Sequence, residues 1–81
     1  MKNKPLWSPD WSSAPDSTIG ACFNADGTAW AWSVRPSIRG SDLRPWDMKW
    51  RGPNYGEGYS PLGKVPSSLR ALWRESWVDK P

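Results

Sequence analysis

Hydrophobic residues alternate with small or polar ones most clearly over residues 18–34, "TIGACFNADGTAWAWSV". Two runs of strand composition, about 18–24 and 29–34, flank Asp26-Gly27 and predict a β-hairpin. Asp-Gly suits a two-residue type I′ turn, which needs positive φ at both central positions. The rival is a three-residue loop with a glycine bulge. Register separates them, because a slip of one residue moves every side chain to the other face. With a two-residue turn, Phe23 faces Trp30, Ala21 faces Trp32 and Ile19 faces Val34, so all the bulk shares one face. Gly20, Cys22, Ala29, Ala31 and Ser33 then make a smooth second face. The bulged register scatters the bulk over both faces, so the pattern predicts the two-residue turn.

Residues 67–78, "SSLRALWRESWV", carry a helical period. Leu69, Leu72, Trp73 and, less centrally, Trp77 fall on one stripe. Pro66 precedes it, and Ser67 or Ser68 is placed to cap its free N–H groups. This helix would lay Leu69 and Trp73 across the bulky hairpin face. A lone hairpin is not stable in water, so a third strand is needed, from Arg44–Arg51 or from Tyr59–Val65. Residues 1–17 read as an arm broken by Pro5, Pro9 and Pro15, with Trp7 and Trp11 as docking pegs. The expected fold is therefore α+β: an arm over 1–17, then a single small domain over 18–81. In that domain an antiparallel sheet built on the hairpin is covered by one C-terminal helix, with long Pro/Gly-rich loops.

Composition sharpens this picture. Eight Trp in 81 residues is several times ordinary usage. Each indole can bury roughly 150–250 Å², while a chain of this length buries only about 60% of its unfolded surface. Some indoles can therefore supply most of the core, and hiding all eight would be hard. The net charge is +3 overall, with −1 over residues 1–34, +3 over 35–51 and +1 over 52–81. The excess sits in the middle of the chain and suits an anionic partner. One cysteine excludes an internal disulfide and fits a reducing cytoplasm. No apolar run follows Met1, so the sequence predicts neither a signal peptide nor a membrane span.

The chemistry available is narrow. The chain has no His, so Ser-His and Cys-His nucleophiles are unavailable, and thiol–imidazole metal ligation is too. Cys22 reads as a small packed thiol. "NADG" lacks the later ligands and terminal Glu of a calcium loop. The glycines at 52, 56, 58 and 63 do not form a phosphate-cradling loop between strand and helix. No catalytic residue, metal or cofactor is expected. The exception to a purely structural reading is "RPWDMKWRG", 44–52, where Trp46 and Trp50 lack a regular buried face and sit among cations. Arg44, Trp46, Lys49, Trp50, Arg51, Tyr55 and Tyr59 form the candidate binding set. In one reading an Arg stacks on an indole and holds a loop. In the other, indoles stack on a planar ligand while Arg pairs with phosphate, or both act as protein-binding hot spots.

The order of landmarks resembles a group of short Trp-rich proteins encoded by phages and prophages. The matching stretches are "WSSAP" at 11–15, "NADGTAWAW" at 24–32, "RP" at 35–36 and "WRESWVDKP" at 73–81. The chain departs from the group at Ser17, where an aromatic is frequent, and in its long middle, 37–64. The group has no settled activity. The resemblance implies a phage-type accessory protein in the cytoplasm of a bacterial host. Taken with the residues, the expected function is non-enzymatic: binding and sequestering or blocking a host component through a Trp/Arg-rich surface. That component would be a host defence protein or a nucleotide-like anionic signal, and a second copy of the chain is a further expected partner. A small nucleic-acid-binding regulator and a minor virion component are the alternatives.

Overall fold

The computed structural model describes residues 6–40, 48–52 and 59–81. Among them are six short strands: β1 Gly20–Phe23, β2 Thr28–Trp32, β3 Ser37–Arg39, β4 Lys49–Arg51, β5 Tyr59–Lys64 and β6 Val78–Asp79. They form a four-stranded antiparallel sheet, β5-β2-β1-β6, and a separate ribbon, β3-β4. Both segments considered as a third strand pair, in different sheets. β5 joins the hairpin, and β4 closes the ribbon.

The hairpin forms as expected, but in the bulged register. Cys22 faces Trp30, Gly20 faces Trp32 and Phe23 faces Ala29. The loop has three residues, Ala25-Asp26-Gly27, closed by Asn24 N–H donating to the Thr28 carbonyl at 3.1 Å and Gly27 N–H to the Asn24 carbonyl at 2.8 Å. The reason lies at Asp26. A type I′ turn would force it to positive φ, which costs an L-residue about 1–2 kcal/mol. In the bulged loop only Gly27 takes that region, at φ 87°. Asp26 Oδ1 instead accepts the Thr28 N–H at 2.8 Å.

The predicted helix over 67–78 is corrected more deeply. Ser67–Glu75 is a 3-10 helix, interrupted at Leu72 (φ −97°, ψ 17°), and Val78–Asp79 is a strand. No long C-terminal helix covers the sheet, so the expected α+β architecture gives way to a mostly antiparallel β-structure. Neither Ser67 nor Ser68 caps the segment; Pro66 stands at its start with no side-chain bond. Competition for backbone partners explains the change. The outer edge of β1 is open, and Val78–Asp79 pairs with Gly20–Ala21 there. Chain that reaches that edge cannot continue a helix through residue 78. The turn is made at Ser76, which is fully buried. Its hydroxyl accepts the Phe23 N–H at 3.0 Å and lies 2.7 Å from the Trp73 carbonyl and 3.1 Å from that of Phe23. Ser76 thereby stands in for a strand partner just before β6 begins.

The core lies between the Phe23 face of the sheet and the 3-10 segment. Phe23, Ala29, Val65 and Trp73 are buried there, with Trp7, Ile38, Met48, Trp50, Leu62 and Leu69 packed around them. Leu62 reaches this face through an irregularity in the β2–β5 pairing between Ala29 and Trp30. Trp7 docks as a peg: its ring meets Phe23 edge-on at 5.2 Å, and its Nε1–H donates to the Ser76 carbonyl at 2.7 Å. Of the predicted stripe, Trp73 is buried and Leu69 half-buried, but Leu72 is exposed.

Candidate functional site

The bulged register divides the aromatic residues between two faces. Phe23 points to the core, while Trp30 and Trp32 point to the opposite face with Gly20 and Cys22. The smooth face expected from the sequence therefore does not exist. Tyr59 and Pro61 of β5 lie opposite Trp32 and Trp30 on this second face. The Tyr59 ring sits 5.1 Å from both indoles, near-perpendicular to Trp30 and tilted 40° to Trp32. Trp32 is buried, Trp30 half-buried, and Tyr59 is 44% exposed.

Trp77 extends this aromatic row over Gly20. A Cβ at Gly20 would overlap the Trp77 ring and stand 2.7 Å from the Val78 carbonyl, so only glycine lets the indole lie this close. Trp77 Nε1–H donates to Asp79 Oδ1 at 2.8 Å. The Arg35 guanidinium stacks over the Trp77 ring at 4.6 Å and stands 3.9 Å from the same carboxylate oxygen. Beneath the row lies Cys22, wholly buried. Burial pushes its thiol up to about 12, with the Trp32 indole and Arg35 pulling the other way. Trp32 Nε1–H is buried without a well-placed acceptor, the Cys22 sulfur being a weak one. A thiol so protonated and enclosed is a poor nucleophile.

The ribbon is the second feature. Ile38 and Trp50 face each other on its inner side and pack on the core. Trp50 is held at two points: its backbone N–H donates to Asn24 Oδ1 at 2.8 Å, and its Nε1–H to the Trp73 carbonyl at 3.0 Å. Trp50 is thus an anchor, half-buried beneath the ribbon. The outer side carries Ser37 opposite Arg51 and Arg39 opposite Lys49. Arg39 donates to the Gly52 carbonyl, and Arg51 Nε–H to the Arg39 carbonyl at 3.2 Å.

The sequence-predicted set is therefore split. Lys49 and Arg51 share the ribbon's outer face, Trp50 points inward, and Tyr59 lies on the aromatic face of the main sheet. Arg44, Trp46 and Tyr55 fall outside the described residues. The cation–π contacts among the described residues involve other arginines, Arg35 on Trp77 and Arg74 on Trp73. Sequence reasoning passed over Trp30, Trp77, Arg35 and Arg39 as surface residues. The available signal was the bulged register, which puts Trp30 and Trp32 on the other face of the sheet from Phe23. A shallow hollow of about 270 Å³ also lies between the arm and β5, walled by Trp7, Leu62, Val65 and Leu69 with Asp10 and Lys64 beside it. No helix among the described residues is long and apolar enough to cross a membrane. No family model, curated protein or solved structure matches the chain.

Proposed function

We propose that this is a non-enzymatic accessory protein of the phage type, which binds and blocks a host protein through the aromatic face of its main sheet. The observation that carries the reading is Tyr59, 44% exposed while its ring is fixed against two indoles. An exposed ring already held in place loses little conformational freedom on binding. Tyr, Trp and Arg are also the residues enriched at binding hot spots; Trp30 touches the Tyr59 ring, and Trp77 with Arg35 lies farther along the same face, over β1. The edge-on packing of Tyr59 against Trp30 favours a protein surface over a nucleotide. It presents ring edges and an apolar ridge rather than an open slot between parallel rings.

The test is affinity capture from a bacterial host lysate with wild type, Tyr59→Ala and Lys49→Gln, each first checked for thermal unfolding. A specific host protein retained by wild type and Lys49→Gln, but lost with folded Tyr59→Ala, supports the reading. Equal retention by Tyr59→Ala overturns it.

A further inference from the structure

The outer face of the β3–β4 ribbon repeats one chemistry at every position. Ser37, Arg39, Lys49 and Arg51 point outward, and all four are side chains that contact nucleic-acid phosphates. Arg39 and Lys49 are directly opposite each other across the two strands. Like charges placed so are destabilising, and among the described residues no carboxylate lies within ion-pair distance of either. A solvated face would be served better by alternating signs. Arg39 is held by its bond to the Gly52 carbonyl, which occupies one of its five donors and fixes the fork. Trp50, on the reverse side, locks the ribbon to the core through Asn24 and the Trp73 carbonyl. The cations are therefore presented on a seated platform.

The geometry points to this face as a docking surface for the phosphodiester backbone of a single nucleic-acid strand. Charge complementarity gives the sign of the partner, in a chain whose excess positive charge concentrates over residues 35–51. Among the described residues this face carries no apolar side chain, which distinguishes the class. Protein hot spots need desolvated aromatic or aliphatic anchors, whereas phosphate binding is carried by polar and cationic side chains alone. Successive outward positions along a strand are about 6.8 Å apart, a step of the same order as that between neighbouring phosphates of an extended strand. Arginine forks can each grip two phosphate oxygens, and Lys49 adds a point charge. This surface lies on the ribbon and is independent of the aromatic face around Tyr59.

The inference has a distinctive consequence: removing one member of the opposed pair relieves repulsion while it weakens binding. The experiment is fluorescence anisotropy of a labelled single-stranded oligonucleotide against the full chain over a series of salt concentrations, with poly-glutamate as the competitor. Wild type, Lys49→Gln, Arg39→Gln and Tyr59→Ala are compared, and each is melted in parallel. Three phosphate contacts predict a log–log salt slope of about −2. Lys49→Gln and Arg39→Gln should each reduce that slope by about 0.7, and Lys49→Gln, which gives up no hydrogen bond, should melt at or above the wild-type temperature. Tyr59→Ala should leave oligonucleotide affinity unchanged, which separates this surface from the protein-binding one. Absence of salt-dependent binding overturns the inference. So does an unchanged slope in both glutamine variants, or displacement by poly-glutamate at an equal charge concentration.

Discussion

Ser76→Ala removes a single oxygen from a fully buried site, and its effect can be worked from the contacts around it. The hydroxyl accepts the Phe23 N–H at 3.0 Å and has one proton to give, with the Trp73 carbonyl nearer than the Phe23 carbonyl, 2.7 Å against 3.1 Å. Phe23 is itself fully buried. It stands past the last residue of β1 that β6 covers, Ala21, and alanine offers its N–H no acceptor. An orphaned buried donor costs about 1–3 kcal/mol, and the lost methylene volume is nil, so no cavity term is added. For a domain of this length, each 1 kcal/mol lowers Tm by about 4–8 °C. A central value of about 2 kcal/mol thus corresponds to a fall of about 8–16 °C. Thermal unfolding followed by near-ultraviolet circular dichroism reads this directly, since the aromatic packing lies around the substituted site. Ser12→Ala is the control, because its hydroxyl bonds only the exposed Asp10 carboxylate and its loss should not move the midpoint. A Ser76→Ala midpoint within about 2 °C of wild type, at most half the shift expected for 1 kcal/mol, would refute the idea that this hydroxyl substitutes for a strand partner.

Trp50→Ala should be costly even though the residue is only half-buried, toward the low end of the range of about 3–5 kcal/mol for such truncations; a denaturant midpoint equal to wild type would show that Trp50 does not anchor the ribbon. Gly20→Ala drives a methyl into the Trp77 ring and the Val78 carbonyl, and overpacking of this kind costs about 1–3 kcal/mol. Amide exchange should show β6 opening before the rest of the sheet, and unaltered protection at Val78 would contradict it. Cys22 has its folded pKa raised to about 12 from an ordinary 9.0. Between those values the unfolded chain gives up the thiol proton while the folded chain keeps it, so stability is fully present below pH 9 and declines as pH rises toward 12. Cys22→Ala should lose less stability than wild type over that interval, and parallel pH profiles would count against the assignment.

The hairpin was legible because turn chemistry and strand composition are both local. Its register was not, because the choice rested on grouping bulk on one face, and that assumes a sheet with one apolar side. Here both sides are used: Phe23 serves the core, and Trp32 is buried on the reverse with the Tyr59 ring against it. The backbone preference of Asp26 was the better guide, and it was present in the sequence. The period over 67–78 marked Trp73 and Leu69 correctly as inward-facing. It could not reveal that residues 78–79 are claimed by an open strand edge nearly sixty positions earlier in the chain, a non-local demand that local spacing does not encode. The anchoring of Trp50 was hidden for a similar reason. Its acceptors are Asn24 and Trp73, 26 and 23 residues away.

The loop Ala25-Asp26-Gly27 makes the identity of the protein's exterior depend on counting. Substitutions within β1 or β2 alter one side chain at a time and leave the arrangement of the others intact. Deleting the codon for Ala25 while the three-residue bulged loop is kept would draw Asn24 into the loop and slide one strand by a single step. Trp30 would then come opposite Ala21, on the face that carries Phe23, and the ridge around Tyr59 would be dismantled while every aromatic residue was retained. A lineage carrying this hairpin could therefore discard its contact surface, or acquire a new one, by insertion or deletion far more readily than by point mutation.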